Sequence, residues 1–167
     1  MLLTGCDRTP KRIDLLSAEV KRVISGQTIE VVLRQTSEVA QVRITGIDAP
    51  DLRQSPWGTT AKNTLRDLIV DREVELESEN QVRDGFSRDR YNRIHAHVWQ
   101  GETLVSERLV KTGCVLANTK YPHSYSKLLI NAQEYARLMG SGIWNRDRPM
   151  RYTPYQFRSK IKPTTKP

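Results

Sequence analysis

Five short segments of this chain have the composition of β-strands, and their order restricts the fold more than any other feature. The first two, residues 19–24 and 28–33, are separated by Ser25-Gly26-Gln27, which suits a tight turn between neighbouring strands. Three further segments are rich in β-forming residues, with apolar and polar positions alternating: residues 39–46, 73–77 and 92–99. The pattern therefore predicts five strands.

Three helices are predicted around these strands. Residues 57–70 lie between the third and fourth strands and place Ala61, Leu65, Leu68 and Ile69 at helical spacing. The other two predicted helices cover residues 103–112 and 125–139, and each is followed by a glycine. Five strands with one helix inserted after the third are typical of a small Greek-key barrel of the OB type. The predicted fold class is therefore a β-barrel with helices (α+β).

The charge distribution divides the chain into three parts. The net charge is +8 over 167 residues, but residues 146–167 contain seven basic residues and one acid, which leaves only +2 for residues 1–145. Overall basicity therefore does not show that the folded body binds polyanions. The sequence predicts a leader and linker over residues 1–16, one domain over residues 17–145, and a basic tail over residues 146–167. The tail is rich in Pro and Lys without periodicity, so we expect it to be extended or disordered.

A group of charged residues surrounds the end of the third strand. Asp48 and Asp51 flank Pro50, and Arg43 precedes the first aspartate by five residues. The aspartates could cap a turn and the arginine could be a solvated strand residue. Alternatively, carboxylates and a guanidinium at this spacing could bind a metal ion and a phosphate.

The order of several motifs supports the second interpretation. Gly46-Ile47-Asp48-Ala49-Pro50-Asp51 is followed by Asp89-Arg90-Tyr91-Asn92-Arg93 and then by Gly140-Ser141-Gly142-Ile143-Trp144. Each motif is weak alone, but in this order and spacing residues 18–145 resemble the staphylococcal nuclease (thermonuclease) family. The resemblance implies a five-stranded OB barrel with three helices, and a calcium-dependent hydrolase that acts on DNA and RNA.

The resemblance also assigns roles to individual residues. Arg43 and Arg93 fall on the two arginines that hold the scissile phosphate, and Asp48 falls on a ligand of calcium. Ala49 stands where the family supplies a backbone carbonyl to the metal. Guanidinium groups and a divalent cation suit this chemistry, because attack on a phosphodiester builds negative charge on its oxygens.

Two positions differ from the family pattern. Gln27 replaces a metal-binding carboxylate with a neutral amide, which can still bind a hard cation but removes one negative charge. Asp51 replaces the catalytic glutamate and is one methylene shorter. The sequence thus indicates a thermonuclease-like phosphodiesterase with an altered, weak Ca²⁺ site. The alternatives are a non-catalytic OB module that binds nucleic acid, and an envelope protein without a nucleic-acid partner.

Other aromatic and histidine residues leave alternatives open. Tyr91 could stack on a base or pack within its loop. His95 and His97 lie two residues apart on one strand and could form a metal pair, but no third ligand is evident near them in the sequence. Tyr152, Tyr155 and Phe157 lie among cations and could stack on single-stranded DNA or RNA, or contact anionic lipid. We expect a monomer.

The two cysteines have different predicted roles. Leu3-Thr4-Gly5-Cys6 resembles the lipobox of bacterial lipoproteins, in which the leader is removed and the cysteine carries lipid. This interpretation requires a longer apolar leader than the residues before Cys6, and it predicts a membrane-anchored protein facing the periplasm or the exterior. A secreted or a cytoplasmic protein is the alternative. Cys114 is predicted to be a small buried residue rather than a disulfide partner.

Overall fold

The structure is a computed structural model that describes residues 15–79 and 86–161. Its strands are β1 (Leu15–Ser25), β2 (Thr28–Leu33), β3 (Val39–Ile44), β4 (Ile47–Asp48), β5 (Glu73–Glu77), β6 (Ile94–Gln100), β7 (Thr103–Leu104) and β8 (Leu116–Ala117). Its helices are α1 (Trp57–Ile69), α2 (Val105–Lys111), α3 (Ser126–Met139) and α4 (Pro154–Ile161), with a 3₁₀ turn at Gly142–Trp144. The five predicted strands and three predicted helices all correspond to observed elements.

Five of the strands close into a barrel. They are hydrogen-bonded in the order β3-β2-β1-β5-β6, and β3 also pairs in parallel with β6. The closing register places Val42 opposite Ile94 and Arg43 opposite His95. The prediction of a five-stranded OB barrel is therefore confirmed. The short strands β4 and β8 form a separate antiparallel pair beside this barrel.

The alternation of the strands places one set of side chains inside the barrel. Val20, Val31, Val42, Leu76 and Val98 are fully buried. Helix α1 covers the barrel with Ala61, Leu65 and Ile69, all completely buried. Burial of one such leucine or isoleucine contributes about 1.5–3 kcal/mol, which explains why the helical spacing in the sequence predicts this face correctly.

The expectation of an extended or disordered tail is wrong for residues 154–161, which form α4. Thr153 Oγ1 accepts a hydrogen bond from the Gln156 amide (3.2 Å), and Gln156 Oε1 accepts one from the Thr153 amide (2.9 Å). This reciprocal pair is a capping box, and Pro154 occupies the first helical position, where its missing N–H costs nothing. The sequence therefore contains a helix-initiation motif that the prediction overlooked, Thr153-Pro154-Tyr155-Gln156. Over residues 15–79 and 86–161 the structure therefore has four α-helices, where the sequence predicted three.

The tail also packs on the domain. Pro154 is buried, and the Gln54 side chain, itself only 6% exposed, donates from Nε2 to the Tyr152 carbonyl at 2.7 Å. Cys114 is buried and free, as predicted, whereas Cys6 and most of the predicted leader lie outside the described residues. Within residues 15–79 and 86–161, every helix is too short or too polar to cross a membrane.

Candidate active site

Arg43 lies at the end of β3 and is fixed by the backbone around it. Its Nη1 donates to the Ile44 carbonyl and its Nη2 to the Ile47 carbonyl, both at 3.0 Å. Burial lowers the pKa of Arg43 to about 10, Asp48 opposes this shift, and the nearby charges of Arg93 and Arg158 add to it. Arg43 is therefore a preorganised cation whose charge persists at neutral pH.

The first turn of the barrel is fastened to the segment that carries Asp48. Gln27 Oε1 accepts a hydrogen bond from the Ala49 amide at 2.6 Å, and the Gln27 carbonyl accepts one from the Ile44 amide at 2.9 Å. The structure thus places Gln27 beside Asp48 and Ala49, as the sequence predicted. One lone pair of the Gln27 amide oxygen is already used by the backbone.

Asp48 is paired with a residue that sequence reasoning missed. Arg158 on α4 donates from Nη2 to both carboxylate oxygens of Asp48, at 2.8 and 3.1 Å. Its Nη1 lies 3.4 Å from the Ala49 carbonyl oxygen. The capping box at Thr153 predicts this helix, but no pattern in the sequence predicts that α4 packs against Asp48.

The contacts of Arg158 with Asp48 and Ala49 determine whether a metal ion can bind to these oxygens. The carboxylate of Asp48, the carbonyl of Ala49 and the amide oxygen of Gln27 are the hard oxygen donors that Ca²⁺ prefers, so the donor chemistry fits. In this arrangement, however, the guanidinium of Arg158 neutralises Asp48 and reaches towards Ala49. A cation can occupy this set of oxygens only after Arg158 leaves it.

Asp51 has the geometry of a turn residue. Its Oδ1 accepts from the Arg53 amide at 3.0 Å and from Arg53 Nε at 2.9 Å, while Oδ2 accepts from Nη2 at 3.1 Å. The hydrogen bonds from Arg53 lower the pKa of Asp51 below its ordinary value. The turn also packs closely against α1, because a Cβ at Gly58 would lie 2.0 Å from the Asp51 carbonyl oxygen.

Arg93 lies just before β6 and is held by Asp89. Its Nε and Nη2 lie 2.8 and 2.7 Å from Asp89 Oδ2, and its amide donates to Oδ1 at 3.0 Å. Burial opposes ionisation of Asp89, but the hydrogen bonds from Arg93, Tyr91 and His95 outweigh it and keep the pKa of Asp89 well below its ordinary value. Arg93 therefore forms an ion pair with Asp89 in this structure.

Tyr91 projects from the same loop into solvent. It is 63% exposed, and the guanidinium of Arg93 lies 5.3 Å from its ring centre. Arg90 lies over the ring at 4.7 Å and donates to the Tyr91 hydroxyl at 2.7 Å. An exposed ring bordered by two cations can stack on a base, which is the role that the sequence suggested as one alternative.

The sequence-predicted residues converge on one edge of the barrel. The charges of Asp48, Arg93, Arg158 and Asp89 all act on the pKa of Arg43, and Arg158 also acts on that of Asp51. A cavity of about 350 Å³ opens beside Arg43, and its lining includes His95, Asn118, Tyr121, His123 and Glu79. The guanidinium groups of Arg43 and Arg93, beside this cavity, can attract a polyanionic chain.

His95 and His97 have different partners although they lie on one strand. His95 Nε2 lies 3.3 Å from Asp89, whereas His97 Nε2 lies 2.7 Å from Glu79 Oε2. His97 is only 1% exposed, and His123, from the loop before α3, packs beside it with 5.3 Å between ring centres. The spacing of His95 and His97 thus suggested His97 as a metal ligand. No pattern in the sequence suggested Glu79 or His123 as its partners. Burial lowers the pKa of both His97 and His123.

Comparison with known proteins agrees with this geometry. The family model described as "Staphylococcal nuclease homologue" matches residues 41–146. An uncharacterized endonuclease of Haemophilus influenzae is 28% identical over 96% of this chain and 81% of its own length. The thermonucleases of Staphylococcus intermedius and Staphylococcus hyicus are 30% and 29% identical, each over 76% of this chain and 75% of their own length. The resemblance seen in the sequence is confirmed, and the chain belongs to the staphylococcal nuclease family.

Proposed function

We propose that this protein is a thermonuclease-like phosphodiesterase that hydrolyses single-stranded or unstructured DNA and RNA. The observation that carries the proposal is the convergence of Arg43, Arg93 and Asp48 on one edge of the barrel. Arg43 is buried with the charges of Arg93 and Arg158 nearby, which disfavour its own charge, so a bound anion would stabilise this group of cations.

The two arginines contribute in different ways. Arg43 is held rigidly by two backbone carbonyls, so it can contact a phosphate without losing side-chain freedom. Arg93 is paired with Asp89 through Nε and Nη2, so Nη1 remains for a phosphate beside the exposed Tyr91 ring. A phosphate held between these groups would have its developing negative charge stabilised by both guanidinium groups.

Calcium is the cofactor that we propose. Asp48, the Ala49 carbonyl and Gln27 would hold it, and the cation would supply positive charge that lowers the energy of the transition state. Binding requires Arg158 to release Asp48, so α4 and the cation compete for the same carboxylate. With one carboxylate and one neutral amide in this set, the affinity should be weak.

Asp51 would position the attacking water in the role of the family's glutamate. In the observed conformation its carboxylate is engaged by Arg53, so that role requires Arg53 to release at least one oxygen. Because Arg53 holds Asp51 and Arg158 holds Asp48, a second candidate function is also favoured. In that candidate the protein is an OB module that binds nucleic acid through Arg43, Arg93 and Tyr91 without cleaving it.

Cleavage of a labelled single-stranded oligonucleotide by the full chain, during a Ca²⁺ titration, tests the proposal. Arg93→Ala should lower kcat/KM by about 10²-fold, the usual effect of removing one donor to a transition-state oxyanion. Arg90→Ala is the matched control, because Arg90 contacts the same tyrosine but is not paired with Asp89. Equal effects of the two changes would contradict the catalytic role of Arg93. Binding without cleavage at any Ca²⁺ concentration would establish the OB module instead.

We also propose that the protein acts as a monomer anchored to a membrane through a lipid on Cys6, facing the periplasm or the exterior. The support is the lipobox-like Leu3-Thr4-Gly5-Cys6 and the polar residues after it. Mass spectrometry of the protein from its native membrane should find a diacylated Cys6 as the first residue. An unmodified Cys6 with upstream residues attached would refute the anchor.

A further inference from the structure

Glu79, His97 and His123 form a cluster outside the calcium and phosphate site. Each offers one ligand atom, either a ring nitrogen or a carboxylate oxygen, and these atoms all lie within 4.8 Å of one another. The three residues come from separate parts of the chain: the segment after β5, the middle of β6 and the loop before α3. The pairing of β5 with β6 places Glu77 opposite His97 and brings Glu79 near it, and the loop before α3 adds His123.

The cluster is held in place by its surroundings. Ser124 donates to Glu79 Oε1 from its amide at 2.7 Å and from its hydroxyl at 2.9 Å, which leaves Oε2 directed at His97. His97 packs against the edge of the Tyr125 ring, with 4.8 Å between ring centres. Outer hydrogen bonds of this kind fix the orientation of ligands in known metal sites.

The hydrogen bonding of the two imidazoles is incomplete. Within the described part of the chain, His97 Nδ1 and His123 Nε2 are buried and have no hydrogen-bond partner. Burial of an unsatisfied polar atom costs about 1–3 kcal/mol, and native proteins rarely leave two of them side by side. A cation bound through His123 Nε2 would use the lone pair of that nitrogen, since His123 Nδ1 already accepts a hydrogen bond from the Tyr125 amide at 3.2 Å.

From these contacts we propose that Glu79, His97 and His123 bind a divalent transition-metal ion of the Zn²⁺ class. Two imidazoles and one carboxylate suit Zn²⁺ and related ions, whereas Ca²⁺ prefers oxygen ligands alone. Binding would replace the Glu79–His97 hydrogen bond with metal bonds, and Ser124 would continue to hold the other carboxylate oxygen.

The site has access to solvent. Glu79 and His123 both line the cavity of about 350 Å³ that also contacts Arg43. Three protein ligands leave a fourth coordination position, which is typical of zinc sites that bind water or a substrate group. The metal would therefore lie beside the cavity that Arg43 also lines.

Metal binding can be measured without reference to nuclease activity. The full chain carrying Cys6→Ser, which removes the thiol outside the described residues, is stripped with a chelator and titrated with Zn²⁺ against a chromophoric competitor. We expect one equivalent to bind, and Co²⁺ in its place to give the intense visible absorption of a four- or five-coordinate site. Zn²⁺ should also raise the midpoint of thermal unfolding.

His123→Gln and Glu79→Gln are the informative variants. Each should weaken Zn²⁺ binding by at least about tenfold and reduce the rise in the unfolding midpoint correspondingly. Glu79→Gln can retain the acceptor oxygen for Ser124, so it separates loss of the ligand from loss of the fold. His95→Gln is the matched control: it removes a histidine of the same strand that pairs with Asp89, and it should bind Zn²⁺ as the parent does.

Two results would overturn the proposal. One is absence of stoichiometric Zn²⁺ binding by the folded parent protein. The other is binding that survives both Glu79→Gln and His123→Gln, since the metal would then lie elsewhere. If one variant fails to fold in chelator, the other alone decides between these outcomes.

Discussion

The guanidinium of Arg158 bridges both carboxylate oxygens of Asp48, 110 positions earlier in the chain, at 2.8 and 3.1 Å. Arg158 is about one-third exposed and Asp48 about one-fifth exposed, so solvent moderates the strength of the pair. The pair nevertheless places a positive charge on the carboxylate that the family uses for its metal. Helix α4 thereby places Arg158 on the carboxylate that we propose as a calcium ligand.

Arg158→Gln should therefore strengthen Ca²⁺ binding. The change removes the charge that competes for Asp48, and a pair of this exposure corresponds to a gain in affinity of up to about fivefold. Calorimetric titration with Ca²⁺ measures the change, and cleavage at limiting Ca²⁺ should rise with it.

Lys160→Gln is the control for this experiment. It removes the same charge from the same helix, but Lys160 lies over the Tyr152 ring at 3.6 Å rather than at the site. Its Ca²⁺ affinity should match the parent's. Equal gains in both variants would mean that general charge, rather than the Asp48 contact, limits binding.

Arg43 should contribute to stability as well as to phosphate binding. Arg43→Met removes the donors to the Ile44 and Ile47 carbonyls, and the lost hydrogen bonds should lower the free energy of unfolding by about 1–3 kcal/mol. Urea unfolding measures this loss. Arg22→Met, which removes an exposed arginine paired with Glu30, should change stability by under about 1 kcal/mol. An unaltered midpoint for Arg43→Met would show that other groups satisfy these carbonyls.

Acidification should destabilise the fold through His97 and His123. Burial lowers the pKa of both imidazoles below the ordinary 6.5, so between the folded and unfolded pKa values the unfolded chain binds more protons. Stability therefore rises with pH through this window and falls as pH drops below about 6.5. Urea unfolding between pH 7.5 and pH 5 should show this slope, and His123→Gln should reduce it.

His95→Gln is the reference for the pH experiment, since His95 lies on the same strand and its side chain is 44% exposed. Its slope should remain close to that of the parent. If His123→Gln leaves the slope unchanged, protonation of other groups is responsible for the acid sensitivity.

The barrel and most of the site could be predicted because they follow from local patterns. Alternation in β3 and β6 determines which side chains are buried, and closure of the sheet then places Arg43 opposite His95. The order of the family's motifs then predicted Arg93 and Asp48 as further residues of the site. These features depend on strand register and short spacing, which a sequence displays directly.

The missed features depend on contacts between distant segments. Helix α4 has a readable capping box, but its docking depends on Arg158 meeting Asp48 and on Gln54 meeting the Tyr152 carbonyl. Glu79 and His123 likewise join His97 only after the chain has folded. No spacing rule connects residues that lie in loops, because loop positions are set by packing rather than by periodicity.

The last prediction concerns Gln27, which removes one carboxylate from the expected metal site. Gln27→Glu keeps the length of the side chain, so its oxygen can still accept the hydrogen bond from the Ala49 amide while adding a negative charge. In the parent this charge would attract Arg158 as well as Ca²⁺, so the change should be made in the Arg158→Gln background. Ca²⁺ affinity should then rise by at least about tenfold over Arg158→Gln alone, since affinity in oxygen sites follows the number of charged ligands. Gln27→Asp, one methylene shorter, should lose the hydrogen bond to the Ala49 amide and show a smaller gain in Ca²⁺ affinity.

Tighter Ca²⁺ binding with faster oligonucleotide cleavage would support a nuclease weakened at Gln27. Tighter binding without cleavage would identify Asp51, held by Arg53, as the defect and favour the binding module, whereas unaltered affinity would show that Gln27 does not face the cation.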